Sequence, residues 1–441
     1  MSPSGEIERP DVTPYDAILI VAFGGPESID DVVPFLRNVT KGKGIPDERL
    51  AEVGEHYYKF GGSPINEQTR QLVAQIKGDL AAHDVSIPVY WGCRNWDPYL
   101  ADTLARMRDD GIERALAITT SAFSSYSGCR QYRENLYDAA ESIVGAPQLD
   151  RARAYFNHPG YVEAVTEGAL AALSGLPAGA TILFVTHSIP ETMDATSGPE
   201  GKAYSTQHQQ LMSAIVNQLD QALGRTHRHE LVFCSRSGAP GSRWLEPDVN
   251  DRMRELSAEG VSAVLLVPFG FISDHMEVIY DLDTEAKATA DELGMGFARA
   301  ATASTHPAFV AMFKDLLIER AAKERGRQVT GAVAFGKPAL DLCGPSCCPN
   351  PRSPRPAPRE RAVAVPVAMN SDELLATQLQ AIAESIARDA AVRVEQAPPH
   401  LAVATESKSS EADVVTATDK AVEVFIREQI NTSQARRQHC R

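Results

Sequence analysis

The chain has 441 residues, 43% hydrophobic and 23% charged, which is enough for two compact domains with appendages. Its net charge is −15 and its pI near 5.3, so no basic field exists to hold phosphates, and nucleic acid is excluded as a partner. No run approaches the ~20 apolar residues that cross a bilayer, the nearest being 261–271, so no transmembrane segment is expected.

The start, "MSPSGEIERPDVTPYD", lacks a basic region followed by an apolar run. Residues 1–14 are therefore expected to be a flexible arm and not a signal peptide, and the protein cytoplasmic. Beyond it, short β-branched runs at 17–23, 89–92, 115–120, 152–156, 181–186, 230–235 and 261–269 alternate with helical patterns. Such alternation means βαβ units. "TILFVTH" and "AVLLVPF" are apolar on both faces, as parallel strands covered on each side must be. The expected fold is α/β, with two Rossmann-like halves, each a doubly wound parallel sheet, at 15–155 and 156–305, and a ligand cleft between them. Glycine-rich turns occur in "FGGPES" and "KFGGSPIN", but neither is a GxGxxG or a GxxxxGK[ST], so dinucleotide and P-loop binding find no support.

A helix in 306–335 is expected to pack back on the N-terminal half. The next segment, 336–350, gathers Cys343, Cys347 and Cys348 in one loop, which in a reducing compartment points to a metal before a disulfide. A Pro-rich linker, 351–369, leads to a helical or partly disordered extension, 370–441. Within it, Leu375, Leu379, Ile382 and Ile386 mark one amphipathic helix, and 411–430 a second.

Two strand ends carry the chemistry. "FVTHSIPETM" places His187 at the carboxyl edge of a parallel strand, where open α/β sheets bind ligands, and "VLLVPFGFISDHMEV" places His275 and Glu277 just past another. Each alone has a bland reading, since a first-turn Glu simply suits a helix dipole. However, Glu277, Asp281 and Glu285 follow at i,i+4 spacing with no lysine until Lys287, although like charges so placed repel by a few tenths of a kcal/mol. The ridge is either solvated surface charge or a row that attracts a divalent cation.

Five motifs in order over 15–345, "LIVAFGGPES", "GGSPIN", "SAFSSYSGCRQYREN", "FVTHSIPETM" and "PFGFISDHMEVIYDLDTEAK", resemble those of the ferrochelatases, enzymes that insert ferrous iron into a porphyrin. The cysteine loop and the Gly-Cys of "SYSGCRQY" make the chain look most like the actinobacterial branch, whose members are soluble and act on coproporphyrin III. The resemblance implies chelatase-type halves, with coproporphyrin III and Fe2+ as substrates. His187 and Glu277 would be the iron-site pair that also takes the pyrrole protons, and Asp281 and Glu285 a path for metal or protons. An imidazole that titrates near neutrality suits this task, and so few ligands leave the metal releasable.

The resemblance also implies that Ser63 and Tyr132 contact the substrate, and that Phe23 stacks on it where some bacterial relatives carry a tyrosine. Arg37, Lys41 and Lys43 would lie at the pocket mouth. Cys129 would join Cys343, Cys347 and Cys348 as the fourth ligand of a [2Fe-2S] cluster; tetrahedral zinc suits the same thiolates, and free thiols are the third reading. Cys93, Cys234 and Cys440 read as ordinary. The alternatives are a protoporphyrin IX ferrochelatase, which usually has an apolar lip not found here between Phe35 and Tyr58, and a non-catalytic metal- or tetrapyrrole-binding relative. A monomer with a transient haem-pathway enzyme partner is expected.

Overall fold

Alternate residues of the first strand, β1 (Ala17–Ala22), serve two different cores. Ile18 and Ile20 join the large apolar cluster shared by both halves of the molecule, whereas Ala17, Leu19 and Val21 pack on the opposite side with Leu104 and Leu136. A strand buried on both faces needs helices on both faces, which is the doubly wound arrangement. In this computed structural model the described residues are 10–42, 44–237, 241–344, 346–351, 405–407 and 414–416.

The strands β2 (Val89–Cys93), β3 (Arg114–Thr119) and β4 (Gln148–Arg151) complete a parallel sheet in the order β2-β1-β3-β4. The strands β5 (Thr181–His187), β6 (His229–Cys234), β7 (Ala263–Val267) and β8 (Gly296–Arg299) repeat the plan as β6-β5-β7-β8, again all parallel. Ile182 and Phe184 of β5 face the shared core, and Leu183 and Val185 face a third cluster with Val249 and Val278. Two sheets with helices on both sides are thus observed as expected.

The edge strands differ from the sequence reading. The strand expected at 152–156 lies upstream, at β4, and β8 had no counterpart. Edge strands are covered less completely, so their residues are more polar: in β4 Asp150 is buried against Arg114, and all four residues of β8 are half-exposed.

The helix Pro307–Glu324 packs on Pro159–Leu173 of the second half and Ile65–Ala82 of the first. Ion pairs fasten it, including the buried Arg153–Glu319 pair at 2.9 Å. Of the arm, 10–14 is held by an Arg325 Nε–Asp11 Oδ2 pair at 3.1 Å, and 1–9 lies outside the described residues.

Contacts divide the chain into Met1–Ala364 and Val365–Arg441. The linker from 352 onward and the helix through Leu375 to Ile386 lie outside the described residues. In the second expected helix, Val414–Thr416 is instead a strand, antiparallel to Thr405–Ser407; the run Val-Val-Thr is β-branched and favours extended backbone.

Candidate active site

Parallel pairing of β5 with β7 brings the segment after β7 beside the end of β5. There the Gly270 N–H donates to the Val185 carbonyl at 3.2 Å, and a Cβ on Gly270 would stand 2.1 Å from Thr186 Oγ1. Only glycine permits this approach. His275 then caps a short helix, Met276–Ile279, its Nδ1 accepting from the Glu277 N–H at 3.2 Å, so Glu277 stands in the first turn.

His187 Nε2 lies 3.0 Å from Glu277 Oε1. Its Nδ1 donates to the Ser188 carbonyl, which keeps a proton on that nitrogen and leaves Nε2 as the atom that exchanges a proton or metal. The Tyr204 hydroxyl donates to the His187 carbonyl at 2.8 Å, and Thr186 Oγ1 lies 2.9 Å from both that hydroxyl and His208 Nε2. His208 is fully buried, and burial pushes its pKa down to about 3, so it stays neutral.

Burial alone would depress the His187 pKa, but the charge and hydrogen bond of Glu277 outweigh it and raise it to about 9. Burial would raise Glu277, yet the charge and hydrogen bond of His187 hold it down, at about 2. Both shifts favour an imidazolium facing a carboxylate. Asp281 differs: burial, then the charges of Glu277 and Glu285, outweigh the Ser235 hydrogen bond and raise it to about 7. The Ser235 hydroxyl donates to Asp281 Oδ2 from a left-handed backbone, φ 62°, unusual for a residue with a side chain.

The acidic ridge does not lie on a uniform α-helix. Asp281–Ala286 is π-helical, and the Glu285 N–H donates five residues back to the Tyr280 carbonyl at 2.9 Å. Such turns concentrate at functional sites. Asp281 is half-buried beside Glu277, whereas Glu285 is exposed.

The helix Asp47–Tyr58 lies beside the inner part of this ridge. His56 stacks on Tyr280 with centroids 3.7 Å apart, and Glu277 and Asp281 add to burial in raising the Tyr57 pKa. Tyr57 lies 6.0 Å from Phe35, which lies 6.4 Å from Phe23. An aromatic arc therefore connects Phe23, after β1, to the carboxylates.

Arg94, just past β2, has its guanidinium 5.5 Å from the Phe23 ring and 4.4 Å from that of Tyr132, with Nε donating to Asn135 Oδ1 at 2.6 Å. Tyr132 itself is 4% exposed in the core with Leu136. Ser63 is half-buried and donates its N–H to the Pro26 carbonyl at 2.7 Å, which folds "GGSPIN" against the loop after β1. Arg37 is committed to Asp47 at 2.7 Å, Lys41 is exposed, and Lys43 lies outside the described residues. Arg94, Tyr57 and Ser235 were not singled out by sequence; the only signal is that Arg94 and Ser235 each follow a strand end.

Cys129, Cys343, Cys347 and Cys348 line one cavity of about 380 Å3. Cys347 and Cys348 Sγ are 3.8 Å apart, the edge of a tetrahedron with ~2.3 Å metal–sulfur bonds. The Gly198 N–H donates to Cys348 Sγ at 3.1 Å, and Arg151 Nη1 to Cys129 Sγ at 3.6 Å, the type of donors that surround metal thiolates. The donor set fits a thiolate-held cluster, although among the described residues no three His, Cys, Asp or Glu side chains are gathered around a single-ion position. Cys93 and Cys234 are buried and free, and Cys440 lies outside the described residues.

An imidazole and a carboxylate thus face each other at strand ends of an α/β protein, beside a second carboxyl raised to about 7. Residues 15–321 match the ferrochelatase family, and the chain belongs to it. It is 51% identical over 362 residues to the coproporphyrin III ferrochelatase of Streptomyces coelicolor, covering 79% of this chain and 96% of that protein. It is 52% identical over 363 residues to the coproporphyrin III ferrochelatase of Streptomyces griseus, with the same coverage of 79% and 96%. The backbone is also similar to SirB from Bacillus subtilis with Fe3+, at a TM-score of 0.43 and 13% identity over 70% of this chain and 97% of that one. No described helix is long and apolar enough to cross a membrane.

Proposed function

We propose that the protein inserts Fe2+ into coproporphyrin III, with release of the two pyrrole protons. The observation that carries this reading is the His187–Glu277 pair at 3.0 Å, in a chain half identical to relatives named for that reaction. His187 Nε2 is protonated at rest, so it neither accepts a pyrrole proton nor ligates iron until that proton leaves. Fe2+ approaching Glu277 brings two positive charges beside the imidazolium and drives the proton off, toward Asp281, which is poised to accept near neutrality. Asp281 passes that proton out to solvent past the exposed Glu285, and neutral His187 then takes the two pyrrole protons in turn, handing the first on to Asp281, as iron enters the ring from its side. Glu285, exposed at the outer end of the ridge, collects cations from solvent. Phe23 and Ser63 form the opposite wall, with Tyr132 acting through Arg94.

Two further propionates distinguish coproporphyrin III from protoporphyrin IX, and a pocket that takes them has to leave them solvated or give them donors. Exposed Ile29, Ile45 and Phe60 favour the alternative of a protoporphyrin enzyme with an apolar lip, but charged residues separate them in sequence. Following insertion of anaerobic Fe2+ into each porphyrin by absorbance decides between them: kcat/KM is expected to be higher for coproporphyrin III. Equal or better efficiency with protoporphyrin IX overturns the specificity, and no insertion into either overturns the activity.

The four convergent cysteines are further proposed to hold a [2Fe-2S] cluster through Cys129, Cys343, Cys347 and Cys348. When bound, the cluster supplies an electron-accepting metal centre. The chain's own contribution is to set the four sulfurs around the cavity and to offer them the Gly198 N–H and the Arg151 guanidinium. The protein is proposed to act in the cytoplasm, as a monomer with a transient haem-pathway partner.

A further inference from the structure

Tyr280 sits where the helix Met276–Ile279 gives way to the π-helical turn. Its carbonyl accepts from Thr284 N–H at 3.2 Å and Glu285 N–H at 2.9 Å, so the orientation of this one residue sets the register of the turn that carries Asp281 and Glu285. Its ring is held from a different part of the chain. His56 stacks on it at 3.7 Å with 10° between the planes, and Lys59 Nζ lies 5.0 Å from its centroid. Residues three apart at the end of a helix share a face, so both grip the same ring.

The helix that supplies them belongs to a small cluster of its own. Val32, Phe35, Leu36 and Leu50 form this core with Tyr57 and Tyr58 around it, separate from the three cores of the sheets. The chain leaves it through Gly61 and Gly62, both with left-handed φ (73° and 137°); at Gly62 a Cβ would stand 2.8 Å from the Pro26 carbonyl oxygen. The helix pair is thus a unit whose grip on the iron-bearing half includes the His56–Tyr280 stack.

We propose that His56 is a positioning residue for metal delivery: its ring, stacked on Tyr280, fixes the α-to-π junction and so aims Asp281 and Glu285 along the line that ends at Glu277. This rests on the reading of Asp281 and Glu285 as the path to the iron site. His56 acts through Tyr280 and does not ligate iron itself.

The test is steady-state insertion with Fe2+ and porphyrin varied separately, in the full-length protein. His56→Ala is expected to raise the KM for Fe2+ about fivefold, the worth of an aromatic pair, with the KM for porphyrin and kcat moving less than about twofold. His56→Phe, which keeps a stacking ring and loses both nitrogens, should restore the iron KM. A His56→Phe variant as poor as His56→Ala overturns the proposal, because the nitrogens and not the stack would then matter. An unchanged iron KM in His56→Ala overturns it as well. Asp281→Asn and Glu285→Gln separate the two levels: if they raise the iron KM and His56→Ala does not, the path stands and the positioning role falls. If they leave it unchanged, the path itself falls. Since His56 is only half-buried, both variants are expected to fold, and equal melting temperatures for the two exclude a folding defect as the cause of any difference.

Discussion

The two halves of the molecule share one plan and differ in what their strand ends carry. β1 and β5 occupy the same place in sheets of identical order, as do β3 and β7. Past β1 come Phe23 and two glycines, and past β3 a neutral stretch leading to Cys129; past β5 comes His187, and past β7 come His275, Glu277 and Asp281. A parallel sheet fixes where loops leave its carboxyl edge, but not what they carry. A flat macrocycle requires one wall that stacks and one that exchanges protons and metal. His187, Glu277 and Asp281 stand at or past strand ends of the second sheet, whereas Phe23 follows a strand of the first, with the Arg94 guanidinium 5.5 Å from its ring.

The strongest way to break this comparison is to remove one residue from each wall. His187→Ala is expected to lower kcat by about a thousandfold or more while porphyrin affinity, read by fluorescence quenching, changes only a few fold. Phe23→Ala should do the reverse, weakening porphyrin binding with a smaller loss of kcat. Near-normal turnover in His187→Ala would remove it from the mechanism.

Glu277→Gln sharpens the same contrast through pH. The amide keeps the shape and loses the charge, so kcat should fall about a hundredfold or more, and the His187 pKa should fall with it because burial is then opposed only by the Ser188 carbonyl and the Asp281 charge. The rising limb of the residual pH–rate profile is therefore expected at lower pH than in the parent. Stability follows the same linkage. The raised His187 pKa gives stability present below about 6.5 and lost as pH rises through about 9, and the lowered Glu277 pKa gives stability present above about 4.5 and lost as pH falls toward about 2. The melting-temperature gap between parent and variant should thus be widest between about pH 4.5 and 6.5 and close toward either extreme.

A smaller effect on turnover is expected from the cysteines, whose metal would sit in a cavity that neither His187 nor Glu277 lines. Protein purified without oxygen should be reddish-brown, with about two irons and two sulfides per chain. Cys129→Ser should lose the colour and a few degrees of melting temperature, because the link from Cys129 to the loop at Cys343 closes a very long stretch of chain. Cys93→Ser and Cys234→Ser should stay coloured. Colourless protein with bound zinc would overturn the cluster, and a full cluster in Cys129→Ser would show the fourth ligand to be another group.

The sequence by itself determined the central strands, since residues buried on both faces have to be apolar throughout, and it determined that His187 and Glu277 stand at strand ends. It misplaced β4 and missed β8, because edge strands are covered less completely and carry polar residues that blur the signal. Local spacing also suggested a plain i,i+4 ridge. The turn after Tyr280 is π-helical, and Tyr280 is packed by residues more than two hundred positions away, His56 and Lys59, which no local spacing reveals. Tyr132, marked by a motif, is 4% exposed with the Arg94 guanidinium 4.4 Å from its ring, a neighbour that the motif does not reveal. Periodicity reports how much of an element is buried, but which side chains meet is settled by the approach of segments distant in sequence, and only the tertiary structure supplies that.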